Sequence, residues 1–159
     1  RHRAPRDRTP WNIQAISGDT RVIPAFRFFT NVRLNLLPTI WQEAQHSAAT
    51  GEPMMRALAL TDRAAGPYPY FFGRDLLVYP VVEPGAETWT VHLPPDDWHD
   101  LWTGEHLAGG ETVEVLTPLD RIPVFVRSGA RLPVNLGPGG VLGETVPFST
   151  EANAKLSFG

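Results

Sequence analysis

The sequence predicts two structural halves, an α/β half followed by an all-β half, meeting near Asp75. Three observations predict them. Pro24 to Ala49 carries apolar residues at helical spacing. Pro53 to Leu60 and Leu76 to Val82 are short, nearly continuous apolar runs, as in strands buried on both faces. From Asp75 onward, short strand candidates recur at roughly ten-residue spacing with turn formers between them, the rhythm of an antiparallel sandwich.

Composition bounds the function classes. The 159 residues can bury one core or parts of two, and a hydrophobic content of 42% excludes wholesale disorder. The net charge of −3 is dispersed, so there is no basic stripe for a nucleic-acid partner. The longest apolar runs are about seven residues, far below the ~20 that span a bilayer, so no membrane partner is expected. The absence of cysteine excludes disulfides, thiolate nucleophiles and Cys-ligated zinc. With no signal peptide in view, the cytoplasm is the expected compartment.

Arg1 to Thr20 has no period and reads as a loop. In the helix that follows, Phe29, Val32, Leu36, Ile40, Ala44 and Ala48 form one stripe, which Phe26, Leu37 and Trp41 widen. Pro24 suits a first helical position and Gly51 a stop. Pro38, in mid-pattern, removes an internal hydrogen bond and should kink the helix or split it. Arg56 lies within an apolar run, so it must pair with a carboxylate or point outward. Thr61 to Phe72 reads as a loop, and its Tyr68, Tyr70, Phe71 and Phe72 either stack on a ligand or pack the junction.

The expected strands of the second half are Leu76–Tyr79, Thr88–Leu93, Asp100–Trp102, Thr112–Leu116, Ile122–Val126 and Arg131–Val134. In the tail, Val141–Val146 and Ala154–Phe158 are two further strand candidates. Trp89, Val91 and Leu93 alternate with Thr90 and His92, which places the first three on the covered face.

Four ordered blocks, GEPMMRAL, FFGRDLLVYPV, WHDLWTGEHLAGG and PLDRIPVFVRSGARLP, resemble the C-terminal part of glycoside hydrolase family 31, the retaining α-glucosidases, α-xylosidases and relatives. The resemblance runs from about His2 to about Pro133. It implies that residues 1–74 are the C-terminal portion of a (β/α)8 catalytic barrel, with Pro53 to Leu60 as the last barrel strand. It implies that residues 75–159 are the proximal C-terminal β-sandwich. The family places a His nine residues before the Trp of a Pro-Trp pair; His2 and Pro10-Trp11 keep that spacing, although Arg3 stands where the family has Gly. By resemblance, His2 is the substrate-binding candidate, contacting the sugar at the cleavage subsite. The resemblance also implies an α-linked saccharide as substrate, no metal or organic cofactor, and a missing N-terminal barrel portion as partner.

Retaining hydrolysis needs two carboxyl groups ~5–5.5 Å apart. In family 31 both are Asp on earlier barrel strands, and neither block occurs among these 159 residues, so no catalytic residue is expected in this chain. Asp96, Asp97 and Asp100 are clustered, but in a Pro-rich turn. His46, His92, His99 and His106 fit no metal-ligand spacing. Gly137 to Gly143 lacks the Lys-Ser/Thr of a phosphate loop. A second class of function stays open beside the hydrolase: a non-catalytic β-sandwich module, carbohydrate-binding or structural. Buried-strand character at Pro53 to Leu60 would favour the barrel over the module.

Overall fold

The computed structural model describes residues 8–159. His2 lies outside the described residues. The described residues divide into two compact units, one holding those up to Pro38 with Val134–Ala154, the other holding Thr39–Pro133 with Lys155–Gly159.

In the first unit, the expected opening loop contains a helix, α1 (Pro10–Ser17). Its ends explain it. The Thr9 side chain accepts from the Asn12 amide, Pro10 occupies the first turn, and Gly18 closes the helix at φ 72°. These cap residues are visible in the sequence as Thr-Pro and Gly, and the short segment between them hid the period. The long helix divides as Pro38 requires: α2 (Val22–Asn35) ends, Leu36 is non-helical, and α3 (Leu37–Thr50) restarts with Pro38 in its first turn.

No strand forms at Val141–Val146. Instead asparagines on α2 hold this stretch as turns. Asn31 Nδ2 donates to the Gly143 carbonyl (2.9 Å) and Thr145 Oγ1 (3.2 Å). Asn35 Nδ2 donates to the carbonyls of Asn135 (2.8 Å) and Glu144 (3.2 Å), and Asn35 Oδ1 accepts from the Gly143 amide (2.8 Å). Gly143 sits at φ +95°, and an added Cβ there would strike the Phe28 ring, so a strand residue is excluded on both counts. Asn35 is fully buried. Asn35→Ala leaves these backbone groups without partners and is expected to cost about 2 kcal/mol, measured by urea unfolding. A loss near zero would mean that water satisfies them.

The second unit is mostly antiparallel sheet. Its strands are β1 (Met55–Ala57), β2 (Tyr70–Phe72), β3 (Leu76–Val78), β4 (Thr88–His92), β5 (Trp98–Asp100), β6 (His106–Leu107), β7 (Thr112–Leu116) and β8 (Val124–Arg127). Two more, β9 (Arg131–Val134) and β10 (Ala154–Ser157), form a separate ribbon. One six-stranded sheet runs β1-β2-β3-β8-β5-β6, and β4 pairs with β7. Leu77, Phe125 and Trp98 from the sheet and Val91 from the β4–β7 pair bury completely in one core with Leu58, Tyr79 and Leu93. The β3 run is apolar at every position because β3 lies inside the sheet and is covered throughout.

Several boundaries differ from expectation, each for a local reason. The Pro53–Leu60 run is a strand only at Met55–Ala57, none of whose residues is buried and which pairs antiparallel with β2. A 3-10 turn follows over Leu58–Leu60, so the run lacks the buried-strand character that would favour the barrel over the module. The Leu58 amide bonds to the Pro69 carbonyl instead of continuing the ladder, and Leu58 alone of the run reaches the core. The aromatic segment is not all loop either, since Tyr70–Phe72 is β2. The strand expected at Asp100–Trp102 sits at Trp98–Asp100, because Asp100 Oδ1 accepts from the amides of Trp102 and Thr103 (2.8 Å each) and turns the chain. β8 begins after Pro123, which has no N–H to give a ladder.

Candidate functional site

The charged and aromatic residues singled out in the sequence fall into three places in the second unit. The first surrounds Arg56. Glu52, four residues earlier, pairs with its guanidinium, and Nη2 donates to the Gly73 carbonyl (2.7 Å). The guanidinium also lies 5.8 Å from the Phe71 ring centroid. Beside it, the buried Glu43 carboxylate accepts from Arg74 Nε (3.1 Å) and Nη2 (2.7 Å), a fork that raises the Arg74 pKa. Gly73 lets the two layers meet: at φ +61°, its hypothetical Cβ would lie 2.5–2.9 Å from Glu43 side-chain atoms. The Gly-Arg of FFGRD is therefore a clamp between α3 and the β2–β3 turn. The carboxylate that pairs with Arg56 is Glu52 on the same segment, not one brought from elsewhere in a barrel.

The second place is the acidic turn. Asp96 pairs with Arg127, whose guanidinium lies 4.9 Å from the Trp98 ring centroid. Asp97 lies 3.4 Å from His106 Nε2, and Asp100 caps its own turn. Each carboxylate has a structural partner. Among the described residues, no cluster of three or more His, Asp or Glu is placed to hold a metal.

The third place is the segment Thr61–Phe72. Phe71 stacks on Trp98 with centroids 6.3 Å apart, so it packs the core. Burial raises the Tyr70 pKa. Tyr68, by contrast, is 57% exposed and lines a cleft of about 380 Å³ with Pro67, Pro69, Glu83, Thr88 and Trp89. Tyr79, which also lines the cleft, belongs to a pinned network beside it. Asp62 Oδ2 meets His92 Nε2 at 2.9 Å, and His92 Nδ1 meets Thr112 Oγ1 at 2.9 Å. The Tyr79 hydroxyl donates to the His92 carbonyl and accepts from the His92 amide (3.1 Å). Burial pushes the Tyr79 pKa up to about 12, opposed by the backbone hydrogen bond to His92. Sequence reasoning found Tyr68 but missed Trp89 and Glu83 as its neighbours. Their only signal was an aromatic on a half-buried strand, which did not reveal what faced it.

Comparison with known proteins decides the family. Residues 51–132 match the model of the glycosyl hydrolase family 31 C-terminal domain. The chain belongs to glycosyl hydrolase family 31. Within that family, it is 40% identical over 157 residues to an isomaltosyltransferase of Sporosarcina globispora, covering 96% of this chain and 14% of that protein. It is 41% identical over 133 residues to a 1,3-alpha-isomaltosidase of Kribbella flavida, covering 80% of this chain and 18% of that protein. Among solved structures, it is similar to the cycloalternan-forming enzyme from Listeria monocytogenes in complex with pentasaccharide substrate. There the TM-score is 0.84 at 39% identity, over 91% of this chain and 14% of that one. The chain thus spans less than a fifth of the length of these family 31 relatives.

Proposed function

We propose that this chain is the C-terminal segment of a retaining α-glycosidase, in which residues 1–74 complete a (β/α)8 barrel and residues 75–159 form the β-sandwich beside it. The parent acts on an α-linked saccharide, a glucoside or xyloside, in the cytoplasm. This segment lacks the nucleophile and acid/base Asp; His2 contacts the sugar, and the remaining residues brace the barrel.

The observation that carries this reading is the edge of the six-stranded sheet. β1 pairs with β2 on one side and with no other described strand. Along it, Met55 is 57% exposed, and Leu60 beyond it is 81% exposed. An open edge flanked by large exposed apolar side chains supports further sheet from the parent chain beyond β1, while the antiparallel order β1-β2-β3-β8 makes the sheet continuous across the junction at Asp75.

Hydrolysis and transfer differ only in whether water or a second sugar takes the glycosyl group. The match to an isomaltosyltransferase along 96% of the chain favours keeping transfer as a second reading. The test is to extend the reading frame upstream of Arg1, express the parent, and follow an α-linked disaccharide by NMR. The expected result is release of sugar first as the α-anomer. Longer saccharide products would favour transfer. An upstream frame without the two Asp blocks, or a parent inert on all α-linked disaccharides, would overturn the enzyme reading and leave the binding or structural module.

A further inference from the structure

The cleft around Tyr68 joins an aromatic wall to polar groups that have no partner among the described residues. Trp89 is half-buried: it packs against the core cluster and also lines the cleft. Pro67, Pro69 and Pro80 stiffen the walls, since each has a fixed φ. The Tyr68 hydroxyl, the Trp89 indole N–H, the Glu83 carboxylate and the Thr88 and Thr90 hydroxyls make no hydrogen bond or ion pair within the described protein. Their neighbours Tyr79 and His92 are, in contrast, fully engaged.

An aromatic plane beside free donors and acceptors suits a pyranose. The C–H face packs on the ring, and the equatorial hydroxyls bond at the rim. The volume, about 380 Å³, is in the range of small-ligand clefts. No Lys or Arg lines it, so an anionic sugar would meet only the negative charge of Glu83. A quaternary ammonium would suit the rings and Glu83 but would leave both threonine hydroxyls and the indole N–H without partners.

We propose that this cleft is a binding site for a neutral α-linked gluco-oligosaccharide, built from Tyr68, Trp89, Glu83, Thr88 and Thr90. It rests on the reading of the parent as an enzyme of α-linked sugars, and gives that enzyme a second hold on its substrate through the β domain.

The test is an NMR titration of the ¹⁵N-labelled 159-residue chain with isomaltotriose. The expected result is saturable shifts confined to residues 65–69, 83 and 88–90, with Kd on the order of 1 mM. Tyr68→Ala should weaken binding about 5- to 10-fold. If that variant loses its dispersed spectrum, Glu83→Gln replaces it, with about a 3-fold weakening expected from the loss of a charge-assisted hydrogen bond. Absent shifts, shifts elsewhere, affinity unchanged in the usable variant, or tighter binding of tetramethylammonium would each overturn the proposal. A parent that cleaves α-linked sugars while this cleft stays silent would sink only this site. Binding here in an inactive parent would sink only the enzyme reading.

Discussion

Replacing Trp98 by alanine is expected to destabilise the chain by about 3–5 kcal/mol, a large part of the ~5–15 kcal/mol of an ordinary domain. Trp98 is completely buried, and it holds three neighbours at once. Phe71 stacks on its ring, Arg127 lies over the ring, and the indole N–H donates to the Pro94 carbonyl (3.2 Å). Truncation leaves a cavity between β2 and β5 and a carbonyl without its donor. It also releases Arg127 from the ring while its pairing with Asp96 persists. Urea unfolding of the wild type and of Trp98→Ala measures the loss, and Trp98→Phe should recover part of it by refilling the volume. A loss under about 1 kcal/mol would mean that the sheet collapses around the gap, against the packing described.

The second large effect is alkaline. Tyr79 titrates at 10.0 in an unperturbed chain and at about 12 in the fold, with burial as the main cause. Between those two pH values the unfolded chain has released the proton and the folded chain still holds it. The folded state then binds more protons, so stability falls as pH rises. The contribution is fully present below pH 10 and is lost progressively up to pH 12, about 2–3 kcal/mol in all. Tyr79→Phe should lose about 1–2 kcal/mol at neutral pH, because the His92 amide and carbonyl lose their shared hydroxyl. It should then show a flatter decline above pH 10. Urea midpoints of both proteins from about pH 8 to about pH 12 make the comparison; parallel curves would exclude Tyr79 as the source of the slope.

What was legible in the sequence was local or periodic. The covered face of Trp89, Val91 and Leu93, the all-apolar β3 and the limits of β7 and β9 follow from alternation and burial, which adjacent residues express directly. Pro38 divided the long helix for a reason internal to the backbone. The four sequence blocks also carried the family, because their order and residue types are written in the chain itself.

What the sequence could not express was which distant groups compete for the same backbone. Val141–Val146 has the composition of a strand, yet Asn31 and Asn35, more than a hundred positions away in sequence, hold its amides and carbonyls as turns. Asp100 ended β5 by taking the amides a longer strand needs. The Pro53–Leu60 run lost its strand after Ala57 because Pro69 bound the Leu58 amide. The role of Gly73 depends on Glu43 approaching from another element, and the cleft exists only because β4 brings Trp89 beside Tyr68. Periodicity reports the environment averaged over a segment's own face. Register, turn capture and clefts are set by single hydrogen bonds and close approaches between segments, and those are decided only when the chain has folded.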